Sequence, residues 1–217
     1  LSKGRLVSFE GLDGAGKTTQ MDLLERWLQS RGIRYLRTRE PGGTPLGAGI
    51  RDLLLNHPDI AISPLAEAFL FQADRAQHFA TLILPALAEG TLVITDRCFD
   101  SSIAYQGAAR GVGMEVVERL SLLATQGRAP DLTILLDLDP AQVHARTTRV
   151  DAHDGLHEPQ SRFDLESEAF HRRLREAFLA LAHAHPERIK TLDAAQPPRQ
   201  IHQEVVNLVE GLLERND

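Results

Sequence analysis

Near the start of the chain, Gly11-Leu12-Asp13-Gly14-Ala15-Gly16-Lys17-Thr18 has the residue types and spacing needed to hold a triphosphate. Small residues let successive backbone N–H groups close around phosphate oxygens, and a helix beginning near Lys17 adds the partial positive charge of its N-terminus, roughly half an elementary charge. In the P-loop that this spacing matches, the lysine reaches the β and γ phosphates. The next hydroxyl, here Thr18, ligates the Mg²⁺ that neutralises charge developing during transfer, and Thr19 continues the same turn. The donor site is therefore expected over Gly11 to Thr19, with Lys17 catalytic and Mg²⁺ as the metal.

Such a loop works only between a strand and a helix, and the surrounding pattern supplies both. Arg5 to Glu10 is a β-rich run, and Met21, Leu24 and Leu28 fall on one face of the helix that follows. Further apolar runs at Ile33 to Thr38, Thr91 to Thr95, Leu132 to Asp137 and Arg188 to Leu192 alternate with amphipathic stretches. That alternation predicts an α/β fold, a five-stranded parallel sheet with helices on both faces. A last amphipathic helix after Pro197 and Pro198 carries Ile201, Val205, Leu208 and Leu212. We read 1–217 as a single domain, interrupted by a polar, His-rich stretch from Val150 to Asp164 that has no clear period and reads as a mobile lid at about 149–164. His153 and His157, with Asp154 and Glu158 nearby, offer metal-ligand chemistry in that stretch, but a solvated lid is the simpler account.

Composition narrows the partners. A net charge of -6 argues against an electrostatic footprint for duplex nucleic acid, so anionic ligands must be met by local arginines. No apolar run approaches the ~18 residues of a membrane span. The N-terminal residues lead from Lys3 straight into a strand without a signal-peptide pattern, and a single cysteine, Cys98, fits a reducing compartment. The expectation is a cytoplasmic protein that binds neither membrane nor nucleic acid.

A P-loop alone does not give the reaction. A guanine-reading Asn-Lys-x-Asp sequence is absent, and no apolar strand ends in the Asp-Glu pair of many ATP-hydrolysing machines. Instead Asp96 ends the Thr91 to Thr95 strand and Arg97 follows at once, with further arginines at Arg39, Arg51 and Arg75. A planar guanidinium gives two parallel hydrogen bonds to phosphate oxygens, so this is equipment for gripping a second phosphate.

Several blocks together resemble the thymidylate kinase family: Thr38-Arg39-Glu40-Pro41-Gly42-Gly43-Thr44, Phe71-Gln72-Ala73-Asp74-Arg75, Asp96-Arg97 with Ser101-Ser102-Ile103-Ala104-Tyr105-Gln106-Gly107, and Pro130-Asp131-Leu132-Thr133. The likeness runs from about residue 5 to the C-terminus and implies transfer of the γ-phosphoryl group of ATP to dTMP by a homodimeric enzyme. It also implies that Phe71 stacks on thymine and that Arg75 donates to a base carbonyl, with Ser101, Ser102 and Gln106 completing the base and sugar site. By the same likeness Glu40 and Pro41 lie in the acceptor loop, Arg97 and Arg51 hold the acceptor phosphate, Asp13 accepts from the sugar 3'-hydroxyl, and Tyr105 crowds the 2' position. Asp96 orders water on Mg²⁺ or on the acceptor phosphate. On residue type alone, Phe71 and Tyr105 also read as core aromatics, Arg75 as a surface charge, the serines as helix caps, and Arg51 as half of an ion pair.

The P-loop itself lacks an arginine, since its variable positions are Leu12, Asp13, Gly14 and Ala15. The resemblance is thus to the bacterial-type members, in which lid arginines close over the triphosphate. Arg149, or Arg162 within Ser161-Arg162-Phe163-Asp164, is the expected source of that charge. Two other readings remain compatible with the P-loop: another deoxynucleotide or deoxynucleoside kinase, and a nucleotide-dependent switch without enzymatic activity.

Overall fold

A computed structural model of the chain describes residues 4–143, 163 and 166–214. Strands β1 (Leu6–Gly11), β2 (Tyr35–Arg39), β3 (Leu92–Asp96), β4 (Leu132–Asp137) and β5 (Ile189–Asp193) form one sheet in the order β2-β3-β1-β4-β5. Every pairing is parallel, as the α/β reading requires. All five expected strands are present, and four of them begin one or two residues later than read. At β2 the cause is the end of the preceding helix. Gly32 adopts a left-handed φ of 64°, and the N–H of Ile33 donates to the carbonyl of Leu28 at 3.0 Å. Ile33 is thereby spent on closing that helix and cannot enter the sheet.

The helices are α1 (Lys17–Ser30), α2 (Pro45–Leu55), α3 (Pro64–His78), α4 (Leu84–Ala88), α5 (Phe99–Ser102), α6 (Met114–Ala124), α7 (Glu168–Ala184) and α8 (Pro198–Leu213). A π-helical stretch, Phe79–Ile83, joins α3 to α4, and a second, Ile103–Ala109, prolongs α5. The wider turn of a π-helix re-aims side chains, and here it carries Tyr105 and Gln106.

Alternation along the strands builds a core on each face. Val7 and Phe9 of β1, with Ile94 and Ile134, pack against Met21, Leu24 and Leu28 of α1 and Ile201, Val205 and Val209 of α8. Leu6 points the other way and joins Val93, Leu135 and the buried residues of the π stretches and α7, among them Phe79, Ile103, Leu174 and Phe178. In α8 the stripe differs by one position from the expected one: Val209 is fully buried, and Leu208 lies only partly covered at its edge. No helix among the described residues is long and apolar enough to cross a membrane.

The register aligns Phe9 with Asp96 and Arg39 with Asp96, so β1, β2 and β3 all end at the same edge of the sheet. Ligands of open parallel sheets bind beyond the carboxyl ends of the strands, where the chain reverses its direction of progress across the sheet. Apart from Phe163, the stretch Val150 to Asp164 lies outside the described residues, as do Arg146 and Arg149. The lid, Arg162, and the His153 and His157 pair therefore fall there too.

Candidate active site

β1 delivers the chain to Gly11, whose φ of +135° and closeness to β4 leave no room for a side chain: a Cβ there would sit 2.5 Å from the backbone oxygen of Leu136. The loop then turns tightly, the N–H of Ala15 donating to the carbonyl of Leu12 at 3.1 Å, and Gly16 opens α1 from a left-handed conformation. Leu12 and Ala15 are buried and anchor the loop to the core, whereas Asp13, Gly14, Gly16, Thr18 and Thr19 line a cavity. Lys17 is folded back over the loop, donating to the carbonyls of Gly11 (3.2 Å) and Leu12 (3.0 Å) and to Asp13 Oδ1 (3.4 Å).

Beyond β3, Arg97 takes a φ of 68°. That left-handed conformation costs a side-chain-bearing residue about 1–2 kcal/mol. The backbone is held there by its own N–H, which donates to Phe9 O at 2.9 Å, and by Thr95 Oγ1, which donates to the Arg97 carbonyl at 2.9 Å. The turn aims the guanidinium across the cavity. Nη1 donates to the Gly11 carbonyl (3.0 Å) and Ser101 Oγ (2.9 Å), and Nη2 to Asp13 Oδ1 (2.5 Å) and the Tyr105 hydroxyl (3.1 Å). Burial works against the charge of Asp13, but the Arg97 guanidinium and then the Lys17 ammonium outweigh it and hold the carboxyl well below the usual range. Asp96, beside Arg97, has a buried Oδ1 with no hydrogen-bond partner among the described residues. Asp96 and Thr18 both line the cavity with hard oxygen donors, so the residues present suit Mg²⁺, which keeps several waters and needs few protein ligands.

The far end of the cavity rests on a buried charge network. Arg75, 1% exposed, donates through Nε to Glu40 Oε2 (2.8 Å), through Nη1 to Gln72 Oε1 (2.8 Å) and through Nη2 to Ser102 Oγ (3.0 Å). Glu40 Oε1 lies 3.0 Å from His78 Nδ1, and His78 Nε2 lies 2.7 Å from Thr38 Oγ1. Burial alone would raise the Glu40 pKa, but the adjacent Arg75 and His78 bring it below its ordinary value. Gly43 passes so close to this network that a Cβ would sit 2.4 Å from His78 Nε2. Asp74 Oδ1 accepts from the Gly42 N–H at 3.0 Å; burial, and then the neighbouring Glu40, push its pKa up to about 6. Arg51 donates to the Pro41 carbonyl at 3.2 Å and lines the cavity.

All of the expected acceptor-site residues, Asp13, Glu40, Pro41, Arg51, Phe71, Arg75, Arg97, Ser101, Ser102, Tyr105 and Gln106, line this one cavity of ≈ 1110 Å³. Several are occupied in ways that residue type did not show. Ser101 Oγ donates to Glu10 Oε2 at 2.5 Å, Ser102 accepts from Arg75, and Gln106 Nε2 donates to Glu67 Oε1 at 3.0 Å. Phe71 is half-buried, its ring 6.2 Å from that of Phe163, which in turn meets Tyr105 edge-on at 5.4 Å.

Sequence reasoning missed three residues here. Leu55 and Phe163 complete the apolar wall beside Phe71. Glu10, fully buried at the end of β1, accepts from the Cys98 N–H at 2.8 Å as well as from Ser101. Burial and then the nearby Asp100 push its pKa up to about 7. A carboxylate inside an apolar strand was the available signal for Glu10, as was a lone aromatic within a polar loop for Phe163.

A P-loop at the carboxyl end of the central strand, with an arginine-lined cavity beside it, defines a phosphotransferase of the nucleoside monophosphate kinase fold. The family model described as thymidylate kinase matches residues 9–205. The thymidylate kinase of Leifsonia xyli subsp. xyli is 48% identical over 212 residues, covering 96% of this chain and 95% of that one. That of Nitratidesulfovibrio vulgaris is 42% identical over 207 residues, covering 95% and 92%. Among solved structures, the crystal structure of thymidylate kinase from Ehrlichia chaffeensis superposes with a TM-score of 0.76 at 30% identity, covering 96% of this chain and 99% of that one. The chain belongs to the thymidylate kinase family.

Proposed function

We propose that the chain transfers the γ-phosphoryl group of ATP to dTMP, giving dTDP and ADP, as a step in dTTP synthesis. The observation that carries this reading is the placement of Arg97, whose guanidinium touches both the P-loop, at Gly11 and Asp13, and the acceptor wall, at Ser101 and Tyr105. One planar cation between two ligand sites suits a reaction in which a phosphate oxygen attacks a γ-phosphorus directly, with catalysis by positioning and charge. Lys17 and Arg97 hold the donor and acceptor phosphates, with Arg51 on the acceptor side. Phe71 and Arg75 take the thymine, and Asp13 and Tyr105 take the sugar. Thr18 and, through water, Asp96 would hold Mg²⁺, which would neutralise charge on the donor phosphates. Arg149 or Arg162 brings a further cation from a lid at about 149–164.

The same reading includes a homodimer acting in the cytoplasm. Its support is an apolar face on α3, where Leu65, Ala66, Phe69, Ala73 and Ala76 are all exposed, continued on the neighbouring α6 by Val116 and Leu123. A contiguous exposed apolar face of this kind marks an interface. A monomer in sedimentation at working concentration would remove this part of the proposal.

The test is an ADP-release assay over nucleoside monophosphates. dTMP is expected to be the best acceptor. The methyl that dUMP lacks is worth only ~1–3 kcal/mol against a wall such as Phe71 and Leu55, so dUMP should lose about 10- to 200-fold in kcat/KM. Equal turnover of dCMP or dAMP would overturn the reading.

A further inference from the structure

Arg110 stands just after the π-helical stretch that carries Tyr105 and Gln106, and it does not itself line the cavity. Its side chain nevertheless meets four residues around the base end. Nε donates to Glu67 Oε1 of α3 at 3.2 Å, and Nη1 donates to Glu166 Oε1 at 2.5 Å. Its Cζ lies 5.4 Å from the ring centre of Phe163 and 5.1 Å from that of Phe170 in α7. The Glu67 oxygen it grips is the one that accepts from Gln106 Nε2.

We infer that Arg110 is a positioning residue: acting through Phe163 and the Glu67–Gln106 pair, it fixes the wall of the acceptor cavity and so sets acceptor affinity. The inference rests on the acceptor reading above. Two features separate this contact from an ordinary surface ion pair, which contributes little. Glu67 is 1% exposed, so its charge depends on Arg110 and the Gln106 amide. Phe163 lines the cavity and meets Tyr105 and Phe71, so the cation packs against a ring that forms part of the cavity wall. A planar guanidinium can stack on both rings and bond two carboxylates in its own plane, which a lysine ammonium cannot.

The test uses the full chain with ATP and dTMP varied separately. Arg110→Gln should raise KM for dTMP about tenfold while leaving KM for ATP within about twofold and kcat within about threefold, the pattern of lost acceptor binding. Arg110→Lys should fall between it and wild type, because charge returns without the plane. Should loss of the Glu67 partner unfold the chain, Glu166→Gln keeps the question open to measurement. Glu166 is 28% exposed and bonds only Nη1, leaving the Nε bond to Glu67 in place, so that variant should fold and raise the dTMP KM in the same direction. In an Arg110→Gln/Phe163→Leu cycle the two effects on dTMP KM should be less than multiplicative, since the first acts through the second. A lower Tm with an unchanged dTMP KM, equal rises in both KM values, or fully multiplicative effects would overturn the inference while leaving dTMP kinase activity in the wild type intact. A wild type without dTMP activity would instead strike the proposed function, and the inference with it.

Discussion

Replacing Lys17 with alanine is expected to lower kcat by at least about a thousandfold with little change in Tm, because preorganised charge acts mainly on the transition state. The structure explains why stability should survive. Lys17 bonds two loop carbonyls, but each has another donor: Gly11 O also accepts from Arg97 Nη1, and Leu12 O also accepts from the Ala15 N–H. Neither carbonyl is orphaned when the ammonium goes, and the turn keeps its closing hydrogen bond. Steady-state kinetics with calorimetry on the same sample checks this. A variant that keeps a tenth of its activity would mean that the triphosphate is held by something other than the Lys17 ammonium.

Arg97→Ala should be comparably damaging, lowering kcat/KM for the acceptor by at least about a thousandfold, because the cavity loses the guanidinium that the proposed function sets on the acceptor phosphate. The loss has two parts. On the proposed function the acceptor phosphate loses its bidentate partner, and Asp13 loses the stronger of the two cations that hold its carboxyl down, so its pKa returns toward the ordinary range. Backbone strain can be separated from charge at this position. Arg97→Gly accommodates the φ of 68° without a Cβ and should unfold at a higher temperature than Arg97→Ala, yet be equally inactive. Arg97→Lys restores charge without the fork and should recover only part of the activity. Near-normal kcat/KM in the alanine variant would remove Arg97 from the acceptor site.

The residues that line the cavity were legible because their types are those that ligand geometry, rather than packing, would constrain. Gly11, Gly14 and Gly16 take φ of 135°, 79° and 98°, which favour glycine, and Asp96-Arg97 stands out at the end of an apolar run. What escaped was decided by long-range packing. Glu10 reads as one more strand residue until the sheet register sets it under Cys98 and Ser101, some 90 positions away. The π-helical stretches leave no periodic trace, because Ile103–Ala109 is nearly all buried and shows no apolar face to count. The shift from Leu208 to Val209 in α8 has the same origin: both are apolar, and only the angle at which the helix meets the sheet decides which is covered. The family resemblance puts Glu40 in the acceptor loop, and the structure adds that its carboxylate is engaged by Arg75 and His78.

On the proposed function, a terminal phosphate moves from ATP onto the phosphate of a thymine nucleotide. Incubating the wild-type protein with γ-labelled ATP and either dTMP or thymidine, then separating the products, tests it most directly. Label in dTDP from dTMP, with none in dTMP from thymidine and little as inorganic phosphate, is the predicted result. Label appearing in dTMP from thymidine would make the protein a nucleoside kinase, and label released only as inorganic phosphate would leave a nucleotide-hydrolysing switch; either would contradict the account.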